Sequence, residues 1–242
     1  MKVALTRLGG LVAHDFRQVW REVTFARNPP AEYTLNGVVL EVGPWVTDPI
    51  RNDIYRDYYE APEHRVVSAT LRADDVVLEI GSGMGYITTL AAGIAREVRS
   101  FDANPEIARV AAATVARNGR DAEVRNGVLA RSPTAPSVTF YVGKHFTDAS
   151  LSPKDGARPI EVPLLDFAHE SDGCTYLIAD IEGAEVELLS GDLPGIRAIC
   201  VECHPAVASP QAITGMLRSL FDQGFALDLA TSQGQVLYLA RG

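Results

Sequence analysis

Three glycines at every second position end the stretch EIGSGMGY, residues 79–86, which follows an apolar run. Glycine adopts positive φ and carries no Cβ, so it is used where the backbone turns tightly or touches a ligand. Gly81, Gly83 and Gly85 therefore predict a turn that cradles a small molecule. The Gly-x-Gly-x-x-Gly spacing of dinucleotide-binding loops is not met, because Tyr86 stands where the third glycine belongs.

Two acids flank this turn along the chain. Glu79 would lie close to a bound pyrophosphate, and like charges in a partly buried site cost free energy, so an NAD-linked oxidoreductase is disfavoured and a cationic ligand fits better. Asp102 ends the strand-like segment VRSFD, where a carboxylate accepts hydrogen bonds from both hydroxyls of a ribose. A nucleoside with positive charge and no phosphate meets both requirements. The predicted cofactor is S-adenosylmethionine, and its product is S-adenosylhomocysteine.

A second group of polar residues follows two later apolar segments, YLIAD and IRAICVE. Asp180 and Glu182 come after the first, and Glu202 and His204 come after the second. Methyl transfer to a hydroxyl requires a base for its proton. His204 is the first candidate, because its ordinary pKa of about 6.5 leaves the imidazole largely neutral at working pH. Asp180 is the second candidate, and Glu202 completes the predicted catalytic group.

The same four residues offer an alternative, a divalent ion that binds and acidifies a substrate hydroxyl. We favour catalysis without a metal and assign no metal ligands. Cys200 and Cys203 form a C-x-x-C, but residues three apart on a strand face opposite sides and no second pair is present, so they make a poor zinc site. We expect packed core cysteines.

The composition is that of an ordinary globular protein. The chain has 242 residues, of which 47% are hydrophobic and 22% charged, with a formal net charge of −9. This acidic balance argues against nucleic acid as a partner. No secretory signal or membrane-spanning stretch is recognised, and three cysteines suit a reducing compartment, so we expect a cytoplasmic protein without membrane contact. The sequence leaves the oligomeric state open, a homodimer included.

These residues must be positioned by an α/β core. From residue 75 onward, apolar strand segments alternate with helical segments, which predicts a doubly wound, mostly parallel sheet. The final segment, FALDLATSQGQVLYLA, is typical of an antiparallel hairpin. Residues 131–165 interrupt the alternation with Pro, Ser, Gly and Lys, and predict a strand pair with a long loop that contacts substrate.

The first 70 residues form a different pattern. A helix is predicted over residues 11–26, from apolar residues at spacings of three and four. Asn36-Gly37 between β-prone segments predicts a hairpin, and Asp48-Pro49 predicts an N-cap followed by proline at the first helical position. We therefore divide the chain into an N-terminal cap, residues 1–70, and a cofactor-binding domain, residues 71–242.

Several motifs together resemble class I S-adenosylmethionine-dependent methyltransferases, and within that class the FkbM family. EIGSGMGY resembles the first motif, FDANPE the ribose-binding turn, LIADIEGAEVELLSG the Asp-x-Glu-Gly-x-Glu motif, VECHP the Glu-x-His motif, and YYEAPE a Tyr-Glu element. The family usually carries Lys two residues before the motif's first Asp, where this chain has Ile178, so the pairing that this Lys would make near Asp180 is in doubt.

The resemblance implies a seven-stranded Rossmann-like sheet and O-methylation of a small-molecule or glycan substrate, most readily a sugar hydroxyl. N-methylation and non-catalytic cofactor binding are the alternatives. Tyr59 and Glu60 would close over the methionine end of the cofactor. Independently of the resemblance, Asn126 to Val128 lie just past the third predicted strand of the core and are placed to meet the adenine ring. The predicted cofactor-binding residues are Glu60, Glu79, Gly81, Gly83, Tyr86, Asp102, Ala103, Asn126, Gly127, Val128 and Asp180.

Overall fold

The computed structural model describes residues 28–43, 45–143 and 156–242. The chain divides into two compact units, Met1–Tyr59 and Glu60–Gly242. The helix predicted over residues 11–26 lies outside the described residues.

The first unit contains the predicted hairpin. Strands β1 (Glu32–Leu35) and β2 (Val38–Glu41) pair antiparallel, with Leu35 opposite Val38. Asn36 and Gly37 between them have φ of 46° and 87°. Positive φ at both central residues gives the turn a twist that matches the paired strands, which is why Asn-Gly marked this position in the sequence.

Among the described residues of the first unit, helix α1 (Asp48–Tyr55) begins one residue earlier than predicted. Thr47 occupies the N-cap position with extended backbone, so Asp48 is the first helical residue and Pro49 the second. Proline is tolerated there because the first backbone N–H groups of a helix have no partner within it. An acid in the first turn also interacts favourably with the positive end of the helix dipole.

The second unit contains all remaining elements of the described chain. Its strands are β3 (Val76–Ile80), β4 (Glu97–Asp102), β5 (Glu123–Asn126), β6 (Val128–Ala130), β7 (Ser137–Val142), β8 (Arg158–Asp166), β9 (Tyr176–Ala179), β10 (Ala198–Glu202), β11 (Phe225–Leu227) and β12 (Val236–Arg241). Its helices are α2 (Ala61–Thr70), α3 (Tyr86–Ala92), α4 (Pro105–Arg117), α5 (Phe167–Glu170), α6 (Glu185–Leu189) and α7 (Pro210–Asp222).

Seven of these strands form one sheet in the order β11-β12-β10-β9-β3-β4-β5. Neighbouring strands from β5 to β10 are parallel, whereas β12 is antiparallel to both β10 and β11. The predicted fold class, a mostly parallel seven-stranded sheet with an antiparallel C-terminal hairpin, is confirmed. The carboxyl ends of β3, β4, β9 and β10 therefore lie at the same edge of the sheet.

Strands β7 and β8 of the insertion form a small sheet together with β6, which precedes the insertion, in the order β6-β8-β7. Strands β7 and β8 pair antiparallel, as the predicted strand pair requires, while β6 and β8 are parallel. The chain between β7 and β8 includes residues 144–155, which lie outside the described residues.

The core lies around the central strands β3, β9 and β10. All residues of β3 and β9 are buried, and so are the first four of β10. Successive strand residues point to opposite faces, so both faces of the sheet are covered, which explains the continuous apolar runs in the sequence. Cys200 and Cys203 are buried free thiols within this core, as expected.

None of the helices among the described residues is long and apolar enough to span a membrane.

Candidate active site

The glycine turn follows β3 and is packed tightly against the rest of the unit. Gly81, Gly83 and Gly85 have φ of 92°, 49° and 78°. A Cβ built on Gly81 would lie 1.9 Å from the backbone oxygen of Asp180, and one on Gly85 would lie 2.7 Å from the Cα of Ala111. Two of the three glycines are therefore required by the approach of neighbouring backbone as well as by their φ.

Asp102, the last residue of β4, is bound to this turn. Its Oδ2 accepts hydrogen bonds from the Gly83 N–H at 3.3 Å and from the Ser82 hydroxyl at 3.4 Å. Its Oδ1 accepts from the Asn104 N–H at 2.8 Å. Burial raises the pKa of Asp102 to about 6, against the lowering effect of these hydrogen bonds. The carboxylate is thus held beside the glycine turn, next to the place predicted for a ribose.

At the end of β5 and the start of β6 lie the three residues predicted to meet an adenine ring, Asn126, Gly127 and Val128. The Asn126 side-chain amide donates to the backbone oxygens of Asp102 and Ala103, at 2.8 and 2.9 Å. The Gly127 N–H donates to the same Asp102 oxygen at 3.0 Å. A Cβ on Gly127 would meet the Leu165 side chain at 2.6 Å. These contacts join the ends of β4 and β5, so the predicted adenine and ribose residues form one continuous surface.

Glu79 is buried, whereas an acid that contacts a bound cation directly would need an exposed carboxylate. It is 1% exposed, and its Oε2 accepts hydrogen bonds from the hydroxyls of Thr88 and Ser100, each at 2.5 Å. Burial raises the pKa of Glu79 to about 7, and the charges of Asp102 and Asp180 add to this increase. Glu79 therefore lies beneath the turn and is bound into the core.

The buried Glu79 carboxyl makes stability depend on pH. Its folded-state pKa of about 7 lies above the ordinary 4.5, so the folded protein holds this proton more tightly than the unfolded chain does. The resulting stabilisation is complete below the unfolded pKa and is lost as the pH rises through the folded pKa. Glu79→Gln keeps an acceptor for both hydroxyls but cannot ionise. The change that it makes in the free energy of unfolding should therefore be roughly 2–3 kcal/mol more stabilising at pH 8 than at pH 5.

Urea denaturation of the cofactor-free protein at the two pH values measures this effect. Glu187→Gln, at an exposed position of α6, is the matched control and should change stability equally at both. An effect of Glu79→Gln that does not vary with pH would show that the carboxyl does not titrate on folding.

Tyr86 and Glu60, two further residues predicted to bind the cofactor, lie at the starts of helices α3 and α2. Tyr86, the first residue of α3, is 0% exposed, and its ring stacks on the His64 ring with centroids 5.8 Å apart. Its side chain packs in the core and presents no exposed surface to a ligand. Glu60 is the N-cap residue of α2 and adopts a left-handed backbone with φ of 48°.

The acids at the ends of β9 and β10 lie around His204. His204 Nε2 lies 3.3 Å from Asp180 Oδ1, 3.9 Å from Glu202 Oε2 and 4.0 Å from Glu182 Oε2. The parallel register of the two strands, with Val201 opposite Ala179, brings their ends level. The structure therefore gathers the predicted catalytic residues at one point of the sheet edge.

Glu185, the first residue of α6, holds the other side of the imidazole. It is 0% exposed, and its Oε1 lies 3.4 Å from His204 Nδ1 and accepts from the His204 backbone N–H at 3.1 Å. Its Oε2 accepts from the Gly183 N–H at 2.7 Å. Burial opposes ionisation, but the hydrogen bonds from His204 lower the pKa of Glu185 overall. An acid in the first turn of a helix is common in any protein, whereas full burial against an imidazole gives this one a positioning role.

The charge state of His204 differs from that of an imidazole with its ordinary pKa. Hydrogen bonds to Asp180 and Glu185 raise its pKa to about 10, although burial acts in the opposite direction. The imidazole is therefore protonated near pH 7, instead of neutral as the ordinary pKa suggested, and a protonated ring cannot accept a proton. Glu202 is better suited, because burial and the nearby charges of Asp180 and Glu63 raise its pKa to about 7.

Glu63 is an acid near this cluster that sequence reasoning missed. It lies on α2, is 6% exposed, and has its pKa raised to about 7, mainly by burial and further by the charge of Asp180. The available signal was its helical spacing, because Glu63 precedes Val66 and Val67 by three and four residues and both are buried. An acid on the buried face of a helix marks a functional position more strongly than an acid on its exposed face.

Comparisons with known proteins give structural neighbours but no family. No protein-family model and no curated protein matches the chain. A methyltransferase from Pyrococcus furiosus aligns at 12% identity over 94% of this chain and 98% of its own, with a TM-score of 0.49. A ribosomal protein L11 methylase from Lactobacillus delbrueckii subsp. bulgaricus aligns at 16% identity over 74% of each chain, with a TM-score of 0.41.

A dimethyladenosine transferase from Plasmodium falciparum is also similar, at 14% identity and a TM-score of 0.35. The alignment covers 58% of this chain and 38% of that protein. At these identities and scores, the function has to be inferred from the chain's own site.

Proposed function

We propose that this chain is an S-adenosylmethionine-dependent methyltransferase that methylates a hydroxyl of a small molecule or sugar. The observation that supports this most strongly is the shared sheet edge at which β3, β4, β9 and β10 end. It combines a glycine turn, a carboxylate beside that turn and a cluster of acids around His204. Ligands of open α/β sheets bind beyond the carboxyl ends of the strands, so these groups surround one binding region.

The residues present suit this cofactor. Asp102 offers a carboxylate beside the turn for two ribose hydroxyls, and the Asn126 to Val128 segment continues that surface toward a base. The acids at the strand ends interact electrostatically: in addition to burial, the charge of Asp180 raises the pKa of Glu79, Asp102 and Glu202. Such an accumulation of negative charge attracts a cation and repels a phosphate. This favours a sulfonium nucleoside over a dinucleotide.

The bound cofactor supplies an activated methyl group, and the chain supplies positioning and a proton acceptor. Methyl transfer is an in-line displacement whose rate depends on alignment of the acceptor oxygen and exclusion of water. Glu202 is our choice for the general base, because a group whose pKa lies near the working pH is best suited to accept the proton. Asp180 is the second choice. Protonated His204 holds both carboxylates in place and offsets part of their charge.

The order of acids from Asp180 to Glu185, together with Glu202 and His204, supports placement within the FkbM family of class I methyltransferases. The motif contains Glu182 and Gly183, whose left-handed φ values are 50° and 99°. A Cβ on Gly183 would meet the Val207 side chain at 2.6 Å. The glycine of the motif is therefore needed for the turn that brings Glu185 under His204.

Two measurements test this proposal in sequence. Calorimetric titration should show S-adenosylhomocysteine binding at one site per chain, while NAD shows no binding under the same conditions. Transfer of a labelled methyl group from S-adenosylmethionine should then be screened against hydroxylated metabolites, glycans and amines. Labelling of a hydroxyl supports the proposal, and labelling restricted to amines would replace it with N-methylation. Binding without transfer to any acceptor class would favour a regulatory binder, and binding of NAD alone would overturn the proposal.

A further inference from the structure

The cluster at the ends of β9 and β10 contains the donor atoms of a metal site. One carboxylate oxygen each from Asp180 and Glu202 and one ring nitrogen of His204 all lie within 4.8 Å of one another. Three donors bound to one cation at about 2.1–2.4 Å must lie within a few ångströms of each other, so little rearrangement is needed. All three residues are partly buried, so they are shielded from solvent but not enclosed.

The His204 imidazole has the orientation that is usual for a metal-binding histidine, with one ring nitrogen held by a carboxylate and the other directed at the site. Glu185, fully buried, faces His204 Nδ1 at 3.4 Å, which directs Nε2 toward Asp180 and Glu202. Metal-binding histidines almost always donate their second ring N–H to a carboxylate or backbone oxygen, because this fixes the tautomer and the ring orientation. Glu185 is itself held by two backbone N–H groups, those of Gly183 and His204, so the orientation does not depend on a mobile side chain.

Glu63 provides an independent observation. This carboxyl is 6% exposed, and within the described residues the donor it reaches is its own backbone N–H. Its charge is near enough to shift the pKa of Glu202, and the charges of Asp180 and His204 shift its own. Burial of a carboxyl costs free energy, and a cation bound at the neighbouring cluster would offset part of that cost.

The charge around the cluster is not balanced within the described chain. Among the described residues, the ion-pair partner of Asp180, Glu185 and Glu202 is His204 alone. One imidazolium lies within 4.0 Å of four carboxylates, those of Asp180, Glu182, Glu185 and Glu202. A divalent cation would offset this excess where a single proton on His204 cannot.

We propose that Asp180, Glu202 and His204 bind one divalent cation, with Glu185 orienting the imidazole. The mixed oxygen and nitrogen donors suit a first-row ion such as Mn²⁺, and leave positions for water or substrate. The cation takes the place of the His204 Nε2 proton. This inference rests on the proposed methyltransferase function for its role, and it gives Glu202 the role of a ligand in place of the general base. The cation binds the acceptor hydroxyl and lowers its pKa, and the proton passes to solvent water. The oxygen then attacks the methyl carbon as the carbon–sulfur bond breaks and S-adenosylhomocysteine leaves.

Direct titration of the cofactor-free protein with Mn²⁺, followed by the electron paramagnetic resonance of free Mn²⁺, tests the site without any activity. We expect one site per chain with Kd of roughly 100 µM or tighter. Asp180→Asn and Glu202→Gln should each weaken binding at least ~10-fold, and Glu185→Gln should weaken it by ~10- to 100-fold through the imidazole. Glu187→Gln, exposed on α6, makes the same change of charge away from the cluster and should leave Kd within about twofold.

Circular dichroism melts of each variant show whether the fold is retained, and at least one of Asp180→Asn and Glu202→Gln must be folded for the comparison. Absence of Mn²⁺ binding to the unmodified chain, or equal binding by the folded variants, would overturn the metal site. S-adenosylhomocysteine titration of the same samples separates the two proposals. Binding of the nucleoside without Mn²⁺ refutes the metal site alone, and binding of Mn²⁺ without the nucleoside refutes the methyltransferase assignment alone.

Discussion

Gly81→Ala is expected to lower the free energy of unfolding by about 4 kcal/mol. The added Cβ would lie 1.9 Å from the backbone oxygen of Asp180, a contact that no rotamer change can relieve. Gly81 also has φ of 92°, which an L side chain rarely adopts. The mutant must therefore separate the end of β3 from the end of β9, and Asp180 would move with it. We expect loss of nucleoside binding together with loss of stability.

Gly119→Ala is the matched control for this experiment. Gly119 has φ of 62°, so alanine is strained there too, but nothing lies within 4 Å of the new Cβ. The backbone strain alone should cost about 1–2 kcal/mol. Urea denaturation monitored by far-ultraviolet circular dichroism compares the two variants. Equal losses would mean that the close approach of Gly81 to Asp180 is relieved by small backbone shifts and does not constrain the site.

Asp102→Ala is expected to weaken S-adenosylhomocysteine binding by a factor on the order of 100 to 10,000. Two hydrogen bonds from ribose hydroxyls to a partly buried carboxylate would be lost, each contributing about 1.5–3 kcal/mol. The alanine also leaves the Gly83 N–H without the acceptor that now lies 3.3 Å away, which loosens the glycine turn. Calorimetric titration measures the change in Kd directly.

Two further variants separate the causes. Asp102→Asn keeps an acceptor oxygen without the charge, so it should retain part of the affinity that alanine loses. Asp121→Ala removes an acid at an exposed position and should leave Kd within about twofold. If a folded Asp102→Ala protein bound the nucleoside with unchanged affinity, the ribose would not lie at the end of β4, and the cofactor assignment would have to be abandoned.

The local features of this protein could be predicted from short stretches of sequence. The Asn36-Gly37 turn, the glycines after β3 and the strand pair of the insertion depend on backbone preferences of a few residues, and these do not require distant contacts. The alternation of apolar strands and amphipathic helices defined the sheet, because parallel strands covered on both faces leave continuous apolar runs. The positions of Asp102, Asp180 and Glu202 at strand ends followed from that alternation.

The character of the site depended on residues that are distant in sequence. Glu63, Glu185 and His204 come from three separate segments, and their pKa values reflect burial and mutual distance, which no local pattern contains. The protonation of His204 differs from the expectation for this reason, since a free imidazole has no carboxylates around it. Gly81 shows the same limit: its positive φ was foreseeable, but its contact with Asp180 exists only because β3 and β9 are neighbours in the sheet. Backbone preference is a local property, whereas charge state and close packing are properties of the assembled fold.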